Sequence, residues 1–187
     1  MTSESAEKYL EHLDKIFEVE PGYFTHSKEG EYPPFHSFTY KNIPEEGMVT
    51  GFTSGISFAT QPDDVKVRTE LMISVDSPDD IWVLALADIG YRNRGEPPYQ
   101  AGDTINFNST ISKESTMSSF FVWHQGLIQE DLEIICLPEW HIRLLQLFPI
   151  HDDERILVHE HGPEWLFELV NDPSDVRRSS VAHKFKT

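Results

Sequence analysis

Cysteine is almost missing from this sequence, and so are long apolar runs. A single residue, Cys136, occurs among 187 residues, so the chain cannot form an internal disulfide and must be stabilised by a packed core. No apolar run approaches the roughly 20 residues of a membrane-spanning helix. The first residues are polar and acidic, without the basic and apolar regions of a signal peptide. We therefore expect a cytoplasmic protein that does not enter a membrane.

Positive charge is also scarce. Lys and Arg number 15 against 32 Asp and Glu, which gives a formal net charge of -17. Nucleic acids and anionic membranes are bound through Lys and Arg, so neither is an expected partner. The same negative field would attract a basic protein and raise the rate of encounter. The alternative that the charge serves solubility alone stays open.

Signatures of catalysis are missing as well. The sequence contains no Gly-rich phosphate loop, no dinucleotide-binding fingerprint and no nucleophile elbow. His159 and His161 are two residues apart in a predicted helix, so they point in nearly opposite directions and cannot both face one ion. We expect no catalytic residue, no metal and no other cofactor. A metal-assisted hydrolase that uses the histidines and carboxylates of residues 151–161 is kept as an alternative.

Two strands stand out in what the sequence does contain. Over residues 65–76 apolar and polar residues alternate, which predicts a strand with one buried and one polar face, as in an antiparallel sheet. Over residues 144–150 both faces are apolar except at Gln146, as in a strand that is covered on both sides. Pro149 cannot donate to a sheet ladder, so the pairing of this strand is predicted to stop there.

Helix boundaries are marked by capping residues. Ser77 is predicted to cap a strongly apolar helix. Asp152 or Asp153 is predicted to cap a later helix that turns Ile156 and Leu157 inward. Both helices are expected to cover the sheet.

The order of the elements indicates the fold class. A helix over residues 3–19 precedes a run of strands, a helix, further strands and the closing helices. This order favours an α+β fold with a twisted, mostly antiparallel mixed sheet covered by helices. We expect one domain with a loop-rich lead-in at residues 1–46, a core at residues 47–171 and a mobile tail at residues 172–187.

Aromatic residues at the ends of predicted elements are candidates for a binding surface. Tyr91, Tyr99 and Trp140 occupy such positions, where interface residues often lie. The acidic turn residues Asp63 and Asp64 complete the predicted partner-binding set. The alternative that each ring only closes the edge of the core stays open.

Five segments carry a resemblance to a known family. They are GFTSGISFA (51–59), RTELMISV (68–75), IWVLALADIGY (81–91), GEPPYQAGDTINF (95–107) and HIRLLQLFPIHDDERILVHEHGPEWLFELV (141–170). Their order and spacing over residues 47–171 resemble the suppressor of fused (SUFU-like) family.

The resemblance implies a protein-binding module, because that family has no catalytic residues to transfer. Its animal member sequesters Gli-type transcription factors in the cytoplasm with the help of a second domain, which this chain is expected to lack. Short single-domain relatives look like bacterial immunity proteins. The leading hypothesis is therefore steric neutralisation of a toxin, with a basic toxin domain as the partner. A cytosolic signalling or sequestering adaptor is the second hypothesis, and no oligomeric state is implied.

Overall fold

The computed structural model describes residues 3–17, 19–27, 32–59, 65–128 and 134–185. The helices are α1 (Ser3–Phe17), α2 (Ile81–Arg92), α3 (Asp152–His161) and α4 (Glu164–Leu169), followed by a short 3₁₀ helix (Ala182–Lys184). The strands are β1 (Gly22–Ser27), β2 (Phe35–Lys41), β3 (Val49–Ser54), β4 (Val67–Val75), β5 (Thr104–Asn106), β6 (Ser119–His124), β7 (Ile134–Cys136) and β8 (His141–Ile150). Among the helices in these ranges, none has the length and apolar character needed to cross a membrane.

The strands form one mixed sheet. Their order is β1-β2-β3-β4-β8-β6-β5, and β7 pairs with the first residues of β8. Each of these pairings is antiparallel except that of β4 with β8, which is parallel. The predicted class, α+β with a mostly antiparallel mixed sheet, is confirmed. β1 lies within the segment that the sequence predicts to be rich in loops.

β4 is buried on both faces, so the predicted polar face is wrong. Every residue from Thr69 to Val75 is buried, and Glu70 has no exposed surface. The reason is tertiary, since β4 lies inside the sheet between β3 and β8 and helices pack on both sides. Glu70 accepts hydrogen bonds from the Thr53 hydroxyl at 2.7 Å and from the Ser57 N–H at 2.9 Å, which compensates for its burial.

α2 covers one face of the sheet, as predicted. Its buried residues pack on a cluster that includes Leu71, Ile73 and Leu147. The helix comes close because β3 carries Gly51 at the contact. A Cβ at that position would lie only 2.6 Å from Val83 Cγ2.

The opposite face is covered in two separate parts. α1 places Tyr9 and Leu13 in one cluster with Met72 and Leu144. α3, α4 and the residues after them build a second cluster. Its buried members are Phe121, Ile150, Val158, Trp165, Leu166, Val170 and Val181. The sheet between the two clusters carries no helix of its own.

β8 runs past Pro149, so the predicted end of its pairing there is wrong. Pro149 is in register with Phe120 of β6, and the pair Ile150–Ser119 follows. The pairing of β8 with β4 has already ended at Gln146. A residue without an N–H is tolerated because β8 has only one neighbouring strand at this point.

The first predicted helix cap is wrong by three residues. α2 begins at Ile81 with Asp80 as its N-cap residue. Ser77 lies in the preceding turn, where its hydroxyl oxygen accepts the Asp79 N–H at 3.2 Å. Residues 77–80 therefore form a turn, and the helix begins only after it.

The second predicted cap is also wrong. α3 is capped by His151 rather than by either aspartate after it. The Glu154 carboxylate accepts the His151 N–H at 3.0 Å and closes a capping box. Of the two residues predicted to point inward, Leu157 packs against the core, whereas Ile156 is 44% exposed.

The chain after α4 packs on the body of the domain as far as the structure describes it. The Arg178 guanidinium lies 2.6 Å from the Glu154 carboxylate, which has no exposed surface. The Val181 N–H donates to the same carboxylate at 2.8 Å, and the Val181 side chain is buried. Within the tail predicted over residues 172–187, these contacts hold the chain on α3.

Arg178→Ala should lower the free energy of unfolding by about 3 to 5 kcal/mol, because it leaves the Glu154 carboxylate buried without its counter-ion. Arg177→Ala is the matched control. The Arg177–Asp76 pair is about half exposed, and its loss should cost less than about 1 kcal/mol. Urea unfolding of both variants measures the difference. Equal losses would contradict the role assigned to the buried pair.

Glu154 should also make stability depend on pH. Burial favours a higher pKa for Glu154, but the Arg178 guanidinium and the bound N–H groups outweigh it and hold the pKa below its usual 4.5. The resulting stabilisation is complete above the usual value and is lost as pH falls through the lowered one. The urea midpoint should therefore drop more steeply in this acidic range for the wild type than for Glu154→Gln. Parallel curves for the two proteins would refute the assignment.

Candidate functional site

A groove opens where β4 and β8 separate. The two strands are paired as far as Met72 and Gln146, and beyond this point both continue without pairing to each other. Ser74 of β4, together with Gln146 and Phe148 of β8, lines the floor. The cavity volume is about 670 Å³, which is within the range of ligand-binding clefts.

Two connecting segments form walls of the groove. The β2–β3 connection is closed by a hydrogen bond of 2.8 Å from the Asn42 N–H to the Met48 carbonyl. The segment after α4 is attached by a hydrogen bond of 2.9 Å from the Asp76 N–H to the Ser174 carbonyl. Backbone bonds therefore fix both walls, and the cavity is formed before anything binds.

Gln146 is the polar residue in the middle of the floor. It is only 6% exposed, and its side-chain amide makes no hydrogen bond to another described residue. Its neighbours across the strands are Met72 and Trp123, and its neighbours on the same face of β8 are Leu144 and Phe148. The amide is not among the polar atoms that are sealed from solvent without a partner, so water in the groove can reach it.

Three aromatic side chains form an apolar wall beside Gln146. Phe167 of α4 is 40% exposed, and its ring centroid lies 5.8 Å from that of Trp123 and 6.2 Å from that of Phe148. Trp123 stacks on the buried ring of Phe121 at 5.4 Å, which supports the indole from behind. Such a wall can bind apolar groups, or cations over the ring faces.

Carboxylates surround the opening. Glu45, Glu46, Asp76 and Asp172 line the groove, and no Lys or Arg does so in the part of the chain that the structure describes. Asp76 is paired with Arg177. Glu45 and Glu46 are exposed and have no cationic partner within the described ranges. The potential of the groove is therefore negative and favours a cationic ligand.

The histidines and carboxylates of residues 151–161 are spread over different surroundings. Among the described residues, no group of three or more His, Cys, Asp and Glu side chains is placed to hold a metal ion. Nε2 of His151 lies 3.0 Å from the Arg178 carbonyl, so this ring is engaged in packing the C-terminal segment. His159 and His161 are exposed on α3. The hydrolase alternative thus finds no assembled site in these residues.

The predicted contact aromatics lie outside the groove and on both faces of the sheet. Trp140 packs with Phe58 at 6.3 Å, and the Arg68 guanidinium lies 4.1 Å from its ring, on the face that α1 covers. Tyr91 and Tyr99 contact the core on the α2 face. The sheet separates Trp140 from the two tyrosines, so the three rings form no single patch.

The remaining two predicted contacts, Asp63 and Asp64, lie outside the described residues. Sequence reasoning missed the groove, although it contained one signal. Over residues 144–150 of β8, Gln146 is the single polar residue in a run that is otherwise apolar on both faces. Phe167 and the two rim glutamates come from a helix and a loop, and no sequence spacing connects them with β8.

Comparison with known proteins identifies the fold. The family model described as Suppressor of fused protein (SUFU) matches residues 31–179. None of the curated proteins is similar enough in sequence to match the chain.

Solved structures agree with that match. A SUFU homologue from Neisseria gonorrhoeae FA 1090 has a TM-score of 0.73 and 22% identity, over 93% of this chain and 94% of that one. The Sufu–Fu complex gives a TM-score of 0.73 and 16% identity, over 96% of this chain and 93% of that one. Drosophila Suppressor of Fused has a TM-score of 0.71 and 15% identity, over 96% of this chain. The match spans 51% of the Drosophila chain. At these identities the likeness shows the fold alone.

Gln146→Leu should change the free energy of unfolding by less than about 1 kcal/mol, since no described residue loses a hydrogen-bond partner and the side chain keeps a similar size. Glu70→Leu is the control on the neighbouring strand. It should destabilise the fold, because the N–H groups of Gly55 and Ser57 lose their acceptor. Urea unfolding measures both changes. A loss of several kcal/mol in Gln146→Leu would contradict the view that no protein group bonds to this amide.

Proposed function

Because the chain belongs to the suppressor of fused family, we propose that it is a non-enzymatic protein-binding module whose groove receives a basic segment of a partner protein. The observation that carries this proposal is the groove itself, a preformed cavity with an aromatic wall. At its rim, Glu45 and Glu46 have no cationic partner among the described residues. Burial of the partner against the aromatic wall supplies affinity, and the negative field raises the association rate.

A protein ligand is also supported by one of the similar structures. That structure is a complex of Sufu with Fu, so a chain of this fold binds another protein there. The formal net charge of -17 on the present chain adds that a basic partner would meet an attractive field. Nucleic acid and anionic membranes would meet a repulsive one.

The specific role that we propose is that of an immunity protein in the cytoplasm. The chain would cover the working surface of a basic toxin domain and block it sterically, which requires no catalytic group. The Neisseria gonorrhoeae homologue, of which 94% is covered, is a bacterial chain of similar extent.

A sequestering adaptor is the second candidate, and the Sufu–Fu complex favours it. In that role the groove would hold a basic segment of a signalling protein or transcription factor and keep it in the cytoplasm. Both roles use the same surface. They differ in whether the bound partner is toxic when it is free.

The predicted aromatic residues are proposed as secondary contacts. Tyr91 is the best placed of them, since it is 47% exposed at the end of α2. Tyr99 and Trp140 are partly buried against the core and offer only an edge to a partner. Asp63 and Asp64 would add to the attractive field.

Glu45→Lys combined with Glu46→Lys should weaken binding of the basic partner about tenfold or more, because two unpaired rim charges change sign. Affinity should also fall less steeply with added salt. Glu7→Lys combined with Glu11→Lys is the matched control, with the same charge change on the exposed face of α1. Titration calorimetry with the protein encoded beside this chain measures the affinities of the wild type and of both variants at low and at high salt.

Co-expression of the same variants distinguishes the two roles. If the partner is a toxin, the wild type and the α1 control should restore growth, whereas the groove variant should not. Full protection by the groove variant would refute the groove as the binding surface. Tight binding to a partner that is harmless when expressed alone would support the adaptor role instead.

A further inference from the structure

We infer that the groove is a receptor for an arginine side chain of the partner protein, an inference that rests on the proposed function. The key observation is Gln146. The residue lies on the floor of the groove and is more than nine-tenths buried. Its amide makes no hydrogen bond to another described side chain or backbone group, and it is not sealed from solvent, so it faces the open groove. A ligand in the groove can therefore take the place of water at this amide.

The floor of the groove offers a hydrogen-bond acceptor as well as a donor, since the Gln146 side chain carries a carbonyl oxygen and an NH2 group. The carbonyl oxygen of a glutamine side chain accepts up to two hydrogen bonds, and a guanidinium offers five N–H donors in one plane. Ser74 lies on the same floor, 6% exposed, with its hydroxyl 2.9 Å from that of Thr50. A planar donor group can therefore reach Gln146 without leaving Ser74 against an apolar surface.

The wall of the groove favours a flat cation. Trp123, Phe148 and Phe167 present ring faces and edges around the floor, with centroids about 6 Å apart. A guanidinium stacks on such rings and is weakly hydrated, whereas the ammonium of lysine is compact and holds its water strongly. The aliphatic part of an arginine would gain apolar burial against the same wall.

The same chain already uses this chemistry elsewhere. The Arg68 guanidinium lies 4.1 Å from the ring of Trp140, and the Arg94 guanidinium lies 5.1 Å from the ring of Tyr32. Arginine stacked on an aromatic ring is therefore a packing mode of this protein. The groove has an aromatic wall of the same kind, and no arginine of the described chain occupies it.

The carboxylates at the rim of the groove favour a cationic ligand. Glu45 and Glu46 stand on one side, and Asp172 stands on the other. Asp172 accepts hydrogen bonds from the backbone N–H and the hydroxyl of Ser174, which are neutral donors. A guanidinium entering between these sides would be attracted by three carboxylates that carry no ion pair within the described residues.

Capped tripeptides test the inference without the unidentified partner. The probes are acetyl-Gly-Arg-Gly-amide, its lysine analogue and its citrulline analogue, which is a neutral isostere of arginine. Proton–nitrogen NMR of the full chain follows the side-chain amide of Gln146 and the indole of Trp123. We expect saturable shifts of both signals with the arginine peptide in the millimolar range, about tenfold weaker binding of the lysine peptide and no saturation with citrulline.

Substitutions in the groove test whether the arginine peptide binds there. Gln146→Leu and Trp123→Leu should each weaken the arginine peptide about tenfold, whereas Glu7→Lys on α1 should leave it unchanged. Shifts that do not saturate, or equal binding of the arginine and lysine peptides, would overturn the inference. Free arginine that binds more tightly than the peptide would overturn it in favour of a small-molecule pocket.

The outcomes also separate this inference from the proposed function. A partner protein that binds wild type, Gln146→Leu and Trp123→Leu equally well would overturn the arginine site while the binding module stands. Saturable arginine-peptide binding that both variants lose would support the site even where the neighbouring gene product does not bind.

Discussion

The parallel pairing of β4 with β8 is the interaction on which the rest of this structure depends. It joins strands that are far apart in the chain and places both inside the sheet, so that both faces need cover. α2 covers one face of the sheet, whereas α1 and the α3–α4 pair cover separate parts of the other face. The pairing ends at Met72 and Gln146 while both strands continue, so a gap remains on that second face between α1 and the α3–α4 pair. The groove is thus a consequence of sheet topology.

Two buried carboxylates hold the loops around this centre. Glu70 accepts the N–H groups of Gly55 and Ser57, and burial raises its pKa. Glu154 is instead paired with Arg178, which opposes the effect of burial and keeps its pKa low. Glu70 joins two of the segments that carry the family resemblance, residues 51–59 and 68–75. These two segments are thus joined in space by hydrogen bonds to one carboxylate.

The fold class and the order of the elements could be predicted from the sequence, because periodicity and turn residues are local, and the family was indicated by the resemblance of five segments. What failed depended on neighbours distant in the chain. The polar positions of β4 indicated an exposed face, yet β8 and two helices enclose it. Pro149 indicated the end of strand pairing, yet β8 continues to pair with β6 there, because its other edge is already unpaired. Gln146 was visible as an exception, but its meaning required Trp123 and Phe167, which reach the groove from other elements.

The charge of the chain and its groove act over different distances, and this divides their roles in binding. The field of a net charge of -17 extends beyond contact but is screened within about 8 Å at physiological salt, so it raises the association rate for basic proteins in general. Selectivity must then come from contacts inside the groove, where a mismatched side chain leaves Gln146 unpaired. The Gln146 amide faces the open groove, where it favours a basic side chain whose N–H groups can replace its water.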